Sequence, residues 1–389
     1  MKSILFIFLC FLPLLVFSAH QQNSVDSESA PESILFQKEF EAFLETEVAT
    51  DTPGLAITLV LDGHTVLTRA YGIASIGNKD KVNLDTVFRL ASVSKTMASA
   101  AVGALVQKGQ LNWDSKVTDY VKTLKLKNPK YTKQLTVQDL LAQRSGLVPH
   151  AYTNYIEENF SYKKIMLKMH EVPFVCAPGT CYSYQNVIYS MTGDVIEKIT
   201  KESYDQFVTN HLFTPLNMKT ASYGLDNFVN NQNHATPHVR YRKNKQWKPV
   251  KVKENYYNFA PAAGANASIT DMNKWLLAQL GHSQNVLDAD TLAMMHSKHT
   301  KTTRGQSHYH GDDWQNIEGT YYGLGWRVFD YGDHQNFVHH GGWVQGSRAE
   351  MVFNTELQMG MVFLTNSETR LAGDVVPMFM QLYSKYLSN

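Results

Sequence analysis

The stretch Arg89-Leu90-Ala91-Ser92-Val93-Ser94-Lys95-Thr96 decides how the rest of the chain is read. A serine is followed three positions later by a lysine. Both stand at the head of an apolar run that includes Ala98, Ala100, Ala101 and Ala104. On a helix, residues i and i+3 share a face, so the Ser92 hydroxyl and the Lys95 amine point the same way. A helix N-terminus offers free N–H groups and partial positive charge, which suit a developing oxyanion. A serine hydroxyl needs a base before it becomes a nucleophile. A buried lysine is such a base, because desolvation favours its neutral form. The spacing alone is common: Ser161-Tyr162-Lys163-Lys164 matches it as well. Apolar residues lie on most sides of the Ser92 helix, which predicts burial. Lys108-Gly109 supplies its end, a cation in the last turn and glycine just beyond.

Working outward, apolar spacing over Ile34 to Glu47 predicts an amphipathic helix. Leu55 to Leu61 and Thr65 to Tyr71 read as strands joined at Asp62-Gly63, a tight-turn signal. Residues 114–281 are mainly helical in pattern. One helix there opens at Thr136 with Asp139 in capping position, another runs from Tyr189 to Ile199, and a third from Met272 to Leu280. Residues 300–319 are polar and loop-like. Short apolar segments then return at Gly325 to Asp330, Asn336 to His340, Ala349 to Phe353 and Met359 to Thr365, before a closing helix over Val375 to Leu387. Strands at both ends with helices between predict an α+β (α/β) fold. One antiparallel sheet is formed by both chain ends and flanked by helices, with a large mainly helical insertion. Residues 34–90 and 320–389 make the sheet part and residues 91–319 the helical part.

Met1-Lys2-Ser3, the apolar run Ile4 to Phe17, and the small residues Ser18 and Ala19 read as a signal peptide over residues 1–19. Residues 20–33 are polar and acidic, a flexible lead-in. The run is short for a membrane span and Pro13 interrupts it, so no stable membrane anchor is expected. The expected location is therefore outside the cytoplasm, periplasmic or secreted. After removal of the leader only Cys176 and Cys181 remain. In an oxidising compartment they can form a local disulfide, with two free thiols as the alternative. The net charge of +1 gives no support for nucleic-acid binding or a polybasic membrane anchor.

Two further stretches carry candidate chemistry. Ala177-Pro178-Gly179-Thr180-Cys181-Tyr182-Ser183-Tyr184-Gln185-Asn186 places a phenol and an amide two residues apart. A tyrosine whose pKa is lowered by neighbouring cations can shuttle a proton, and the amide can orient a lysine and a substrate carbonyl. Tyr152-Thr153-Asn154 and Tyr256-Tyr257-Asn258 share the pattern. Val338-His339-His340-Gly341-Gly342-Trp343-Val344-Gln345-Gly346 lets backbone approach a ligand at its glycines, with a histidine to donate to a carboxylate or oxygen.

Taken in order, Ser92-Val93-Ser94-Lys95, Tyr184-Gln185-Asn186 and His340-Gly341-Gly342 resemble the serine β-lactamase-related family. That family includes class C β-lactamases, D-alanyl-D-alanine carboxypeptidases, D-aminopeptidases and related esterases. The flanks Leu135 to Leu147, Pro178-Gly179-Thr180, Ala262 to Asp271 and Tyr322 to Trp326 share its texture, and the resemblance covers residues 33 to 389. It selects Ser92 over Ser161, and Tyr184 over Tyr152 or Tyr256. It implies Ser92, Lys95 and Tyr184 as catalytic groups. Asn186, His340, Gly342 and Trp343 would bind substrate, the backbone N–H groups of Ser92 and Trp343 forming the oxyanion hole. His339 also stands two residues before a glycine, but Gly342 and Gly346 set the register on His340. Class C β-lactamases carry lysine at that place. Histidine there points to a peptidase or esterase rather than efficient antibiotic hydrolysis.

The expected function is that of an exported serine hydrolase acting through an acyl-enzyme on amide, peptide or ester bonds, with a cell-wall peptide as one candidate substrate. No metal or organic cofactor is required. The alternatives are a class C-type β-lactamase and an inactive peptidoglycan-binding scaffold. His308-Tyr309-His310-Gly311-Asp312-Asp313 resembles part of a metallo-β-lactamase zinc site but has Asp313 where that site needs a histidine, and reads as a surface loop. No Gly-x-Ser-x-Gly elbow occurs, and His170-Glu171 lacks the second histidine of a metalloprotease helix.

Overall fold

The computed structural model describes residues 31–78, 80–241, 246–307, 309 and 314–387. The leader at residues 1–19, nearly all of the lead-in at 20–33, and His308 with residues 310–313 lie outside the described residues. Among the described residues no helix is long and apolar enough to cross a membrane.

Among the described residues, six helices have eight residues or more: α1 (Glu32–Phe43), α2 (Ser94–Gln107), α3 (Met191–Thr200), α4 (Ile269–Gln279), α5 (Ala289–His296) and α6 (Val375–Tyr386). Eight strands form the main sheet: β1 (Gly54–Leu61), β2 (His64–Gly72), β3 (Thr300–Lys301), β4 (Ile317–Tyr322), β5 (Arg327–Tyr331), β6 (His334–Val344), β7 (Ser347–Asn354) and β8 (Met359–Thr365). Their order is β2-β1-β8-β7-β6-β5-β4-β3 and every neighbouring pair is antiparallel. The first and last parts of the chain meet where β1 pairs with β8, Leu55 opposite Thr365. The β1–β2 turn has Asp62 at φ +50° and Gly63 at φ +73°. Positive φ at both central residues matches the right-handed twist of a two-residue hairpin.

Every residue of β1 is buried, because both faces of the sheet are covered. Leu55, Ile57, Leu59 and Leu61 join the core beneath α1 and α6, whereas Ala56 and Val60 join the core of the helical part. Phe36 and Phe40 of α1 meet Phe379 of α6 edge-on, with ring centroids 5.7 and 6.2 Å apart. On the other face α2 is buried from Ser94 through Leu105. Its small residues allow close approach: a Cβ on Gly103 would lie 2.5 Å from Thr291 Cγ2 of α5.

Two expectations change. Residues 300–319, read as a loop, contain β3, a helical turn at Arg304–Ser307 and the start of β4. Their polarity hid the pairing, since hydroxyls satisfy one another there: Thr302 Oγ1 donates to Thr320 Oγ1 at 2.9 Å. Strand β6 runs on past His340 to Val344, with the glycines inside it. Gly341 opposite Glu350 and Gly342 opposite Ala349 keep the register despite the low strand propensity of glycine.

Phe379→Ala should cost about 3–5 kcal/mol, since it empties a fully buried aromatic site shared by α1 and α6. A urea midpoint equal to wild type would contradict this packing.

Candidate active site

Ser92 lies in a single 3-10 turn, Ala91–Val93, that leads into α2. Ala91 holds φ at +48°, a left-handed conformation that costs an alanine roughly 1–2 kcal/mol. The surroundings hold it there: Leu90 N donates to Ala265 O at 2.9 Å, and Ser94 Oγ donates to Ala91 O at 2.6 Å and accepts from Ala265 N at 2.9 Å. Strand β6 presses on this turn. A Cβ on Gly342 would lie 2.2 Å from Leu90 O and 3.2 Å from Ser92 N, so only glycine permits the contact.

Lys95 is fully buried one turn along α2. Its Nζ lies 2.7 Å from Asn186 Oδ1, 2.9 Å from Ala262 O and 3.3 Å from Ser92 Oγ. Burial, reinforced by the Arg327 charge, holds its pKa well below the ordinary lysine value. A neutral amine has two N–H donors and one lone pair. Asn186 Oδ1 and Ala262 O are acceptors only, which leaves the lone pair for the Ser92 hydroxyl. Tyr184 OH donates to Ser92 Oγ at 3.0 Å from the other side.

The Tyr184 phenol departs from expectation. Burial raises its pKa, and its hydrogen bond to Ser92 and the Arg327 charge offset that only in part. The phenol is therefore a neutral donor at rest and Lys95 is the free base. The neighbouring cations were expected to lower the phenol's pKa, but desolvation dominates.

The segment carrying Tyr184 is held by the flank at residues 135–147. Thr136 and Asp139 form a reciprocal capping box, and Asp139 Oδ1 also takes Arg144 Nε at 2.7 Å. Gln143, at φ +54°, accepts Ser183 N on its carbonyl and Gln185 N on its side chain, both at 2.7 Å. Cys176 and Cys181 are joined in a disulfide at the start of the segment. A Cβ on Gly146 would lie 2.3 Å from Cys176 O, so this loop lies directly on the flank.

His340 is buried behind the cleft rather than exposed in it. Alternation along β6 sends His340 toward the Ser92 face and His339 toward α6. His340 is 1 % exposed, its Nε2 3.0 Å from Tyr322 OH and its Nδ1 2.9 Å from Gly341 O. The carbonyl requires a proton on Nδ1, so Nε2 accepts from Tyr322. Burial first, then the Arg327 charge, pushes its pKa well down. It is neutral and engaged on both nitrogens, so it does not hold a substrate carboxylate. It instead supports Tyr322, whose ring meets that of Tyr184 edge-on at 6.4 Å. Two arginines line the cleft: Arg348, which pairs with Glu350 at 3.1 Å, and Arg327, which the sequence did not single out. Its Cζ lies 5.8 Å from the Tyr184 ring centroid and 6.0 Å from that of Tyr322. No carboxylate pairs with it among the described residues. Its only sequence cue was its place just after the Tyr322 to Trp326 flank. His339 pairs with Glu350 Oε2 at 3.0 Å and Tyr309 OH at 2.9 Å.

Ser92, Tyr184, Asn186, Arg327, Tyr256 and Trp343 thus line one cleft of about 580 Å³. The Trp343 side chain stands 66 % exposed at its rim. The Beta-lactamase family model matches residues 36–379. The chain belongs to the Beta-lactamase family. "Protein flp" of Staphylococcus aureus (strain MW2) is 25 % identical over 342 residues, 87 % of this chain and 63 % of that protein. "Beta-lactamase-like protein 4" of Dictyostelium discoideum is 28 % identical over 247 residues, 59 % of this chain and 42 % of that protein. This Beta-lactamase family chain thus spans less than two thirds of the length of either relative. The octameric penicillin-binding protein homologue from Pyrococcus abyssi shares its fold, with a TM-score of 0.75 at 20 % identity, covering 90 % of this chain and 77 % of that one.

Replacing Cys176 and Cys181 by serine should cost no more than about 2 kcal/mol of stability, because the loop is short. Activity should fall more, roughly 10- to 100-fold, through misplacement of Tyr184. Paired urea melts and turnover measurements test this; full activity in the double variant would count against it.

Proposed function

We propose that the protein is an exported serine hydrolase that works through an acyl-enzyme on amide, peptide or ester bonds. One observation carries this: Ser92 Oγ sits between Lys95 Nζ at 3.3 Å and Tyr184 OH at 3.0 Å, with the other neighbours of Lys95 both acceptors. Ser92 gives its proton to the neutral Lys95 amine, and its Oγ attacks the substrate carbonyl carbon. The N–H groups of Ser92 and Trp343 receive the oxyanion. Tyr184 gives its proton to the leaving nitrogen or oxygen, and the Lys95 ammonium and Arg327 stabilise the phenolate that forms. In deacylation water returns a proton to Tyr184, and its hydroxide attacks the acyl carbon. As the ester breaks, Ser92 Oγ takes back the proton held by Lys95.

The substrate class follows from the strand edge and the charge. Strand β5 pairs with β6 only as far as His339, whereas β6 runs on to Val344. The backbone beyond His339 is open on that side to an extended peptide. Arg327 supplies a permanent cation for a carboxylate on the leaving-group side, the role first given to His340. A β-lactam carboxylate fits the same cation, so β-lactams are expected to acylate Ser92 and the rate of turnover separates a peptidase or esterase from a β-lactamase.

Ser92→Ala should abolish covalent labelling by a fluorophosphonate, and Lys95→Ala should lower turnover by roughly 10²–10⁴-fold. Ser161→Ala should change little. Labelling that survives Ser92→Ala, or no labelling of the wild type, would favour a scaffold without catalysis.

The pH profile gives a second test. Lys95 acts as the neutral base, so kcat/KM should rise with pH as Lys95 loses its proton, along an acid limb centred well below its ordinary pKa of about 10.5. His340 stays neutral on that limb, so His340→Gln should leave its midpoint in place even if the rate falls. A midpoint that moves with His340→Gln would assign the titration to the histidine.

A further inference from the structure

We propose that the cleft continues past Trp343 into a second subsite that binds a carboxylate on the acyl side of the substrate, with Arg89 as its central cation. This rests on the hydrolase reading above. A second cavity of about 440 Å³ shares Tyr256, Trp343 and Val344 with the catalytic cleft, and Arg89, Lys251 and Lys253 line it. Arg89 stands three residues before the nucleophile and is only 5 % exposed. Its Cζ lies 5.1 Å from the Tyr257 ring centroid, and NH1 reaches the Gln345 carbonyl at a long 3.5 Å. No ion pair joins Arg89 to a carboxylate among the described residues. A guanidinium removed from water without an anion is costly, and a ligand carboxylate is the partner that its planar fork suits best.

The surroundings add charge of the same sign. Lys251 and Lys253 line the same cavity and are exposed. Glu157 and Glu368 also line it, but neither pairs with Arg89: Glu368 Oε1 is taken by Gly346 N at 2.8 Å.

Strand β6 places this subsite relative to the reacting bond. Arg327 is opposite His339, Gly342 packs against the Ser92 turn, and Gln345 follows the strand end. At about 3.3 Å per residue, His339 and Gln345 are roughly 20 Å apart. Arg327 and Tyr184 therefore occupy one end of the cleft and Arg89 the other. Tyr184 protonates the leaving group, so the acyl portion extends past Trp343 toward Arg89.

The test uses two p-nitrophenyl esters with the same leaving group, one whose acyl chain ends in a carboxylate and one whose chain ends in the uncharged methyl ester. The wild type should favour the acid by roughly tenfold in kcat/KM, the worth of one charge-assisted hydrogen bond. The preference should shrink toward unity in Arg89→Gln, in the surface double variant Lys251→Glu/Lys253→Glu, and in high salt. The double variant keeps the test decisive if Arg89→Gln does not fold. Equal rates for the two esters in the wild type, or a preference unchanged in the double variant and in salt, overturn this subsite while leaving the hydrolase intact. Failure to turn over either ester, with no fluorophosphonate labelling of Ser92, overturns the hydrolase and the subsite with it.

Discussion

The removal of one amine from water organises this molecule. The Lys95 amine is enclosed by groups from three separate parts of the chain: Ser92 in its own turn, Asn186 at the head of a short helix and Ala262 in the helical part. An ammonium in that position would face a large desolvation penalty, and the Arg327 cation adds to it. The fold answers by holding the group as a neutral amine and supplying acceptors for its two hydrogens. The remaining lone pair is then directed at the Ser92 hydroxyl. Basicity at this place is thus a consequence of packing, and a lysine with the same spacing on an exposed helix would lack it. Lys164 after Ser161 is such a case, since it is exposed and its ammonium lies against the Phe160 ring instead.

That enclosure depends on elements far apart in sequence meeting at close range. The left-handed Ala91 is tolerable because hydrogen bonds on both sides of the turn require it, and because Gly342 adds no atom where Leu90 O sits. The glycine in turn is fixed by β6, a central strand whose pairing with β7 extends through it. Strain beside the nucleophile is therefore borne by the sheet, whose opposite face is secured by the aromatic contacts of α1 and α6. Chain ends that look remote from the chemistry stabilise the surface against which Ser92 is set.

Charge is distributed along the cleft in a way that suits an extended, anionic chain. Arg327 and Arg89 are both largely buried and neither pairs with a carboxylate among the described residues, and along β6 they lie on opposite sides of the Gly342 contact, Arg327 beside His339 and Arg89 at Gln345. Trp343 is exposed between the two compartments and lines both. Tyr182, Tyr184 and Tyr322 surround Arg327 and keep it from solvent. The same aromatic enclosure raises the phenol pKa of Tyr184 and suppresses protonation of His340.

Much of this was readable before any fold was known, because it depends on local rules. Short apolar segments, the Asp62-Gly63 turn and the apolar α2 set the elements, and three short motifs in order named Ser92, Lys95, Tyr184 and Asn186. What local patterns could not reveal was decided by contacts between distant segments. Hydroxyl pairing across β3 and β4 looked like a polar loop, because side-chain satisfaction leaves no apolar alternation. Glycines 341 and 342 lay beyond the strand read as ending at His340, because only the partner strand keeps them extended. His340 had the residue type of a ligand-binding group, but depth and two fixed hydrogen bonds made it a neutral support. Arg327 had no motif at all and became a cation of the cleft only through the register of β5 against β6. Residue identity determined which groups were available; tertiary burial decided their protonation, because the cost of a charge depends on the water and partners around it.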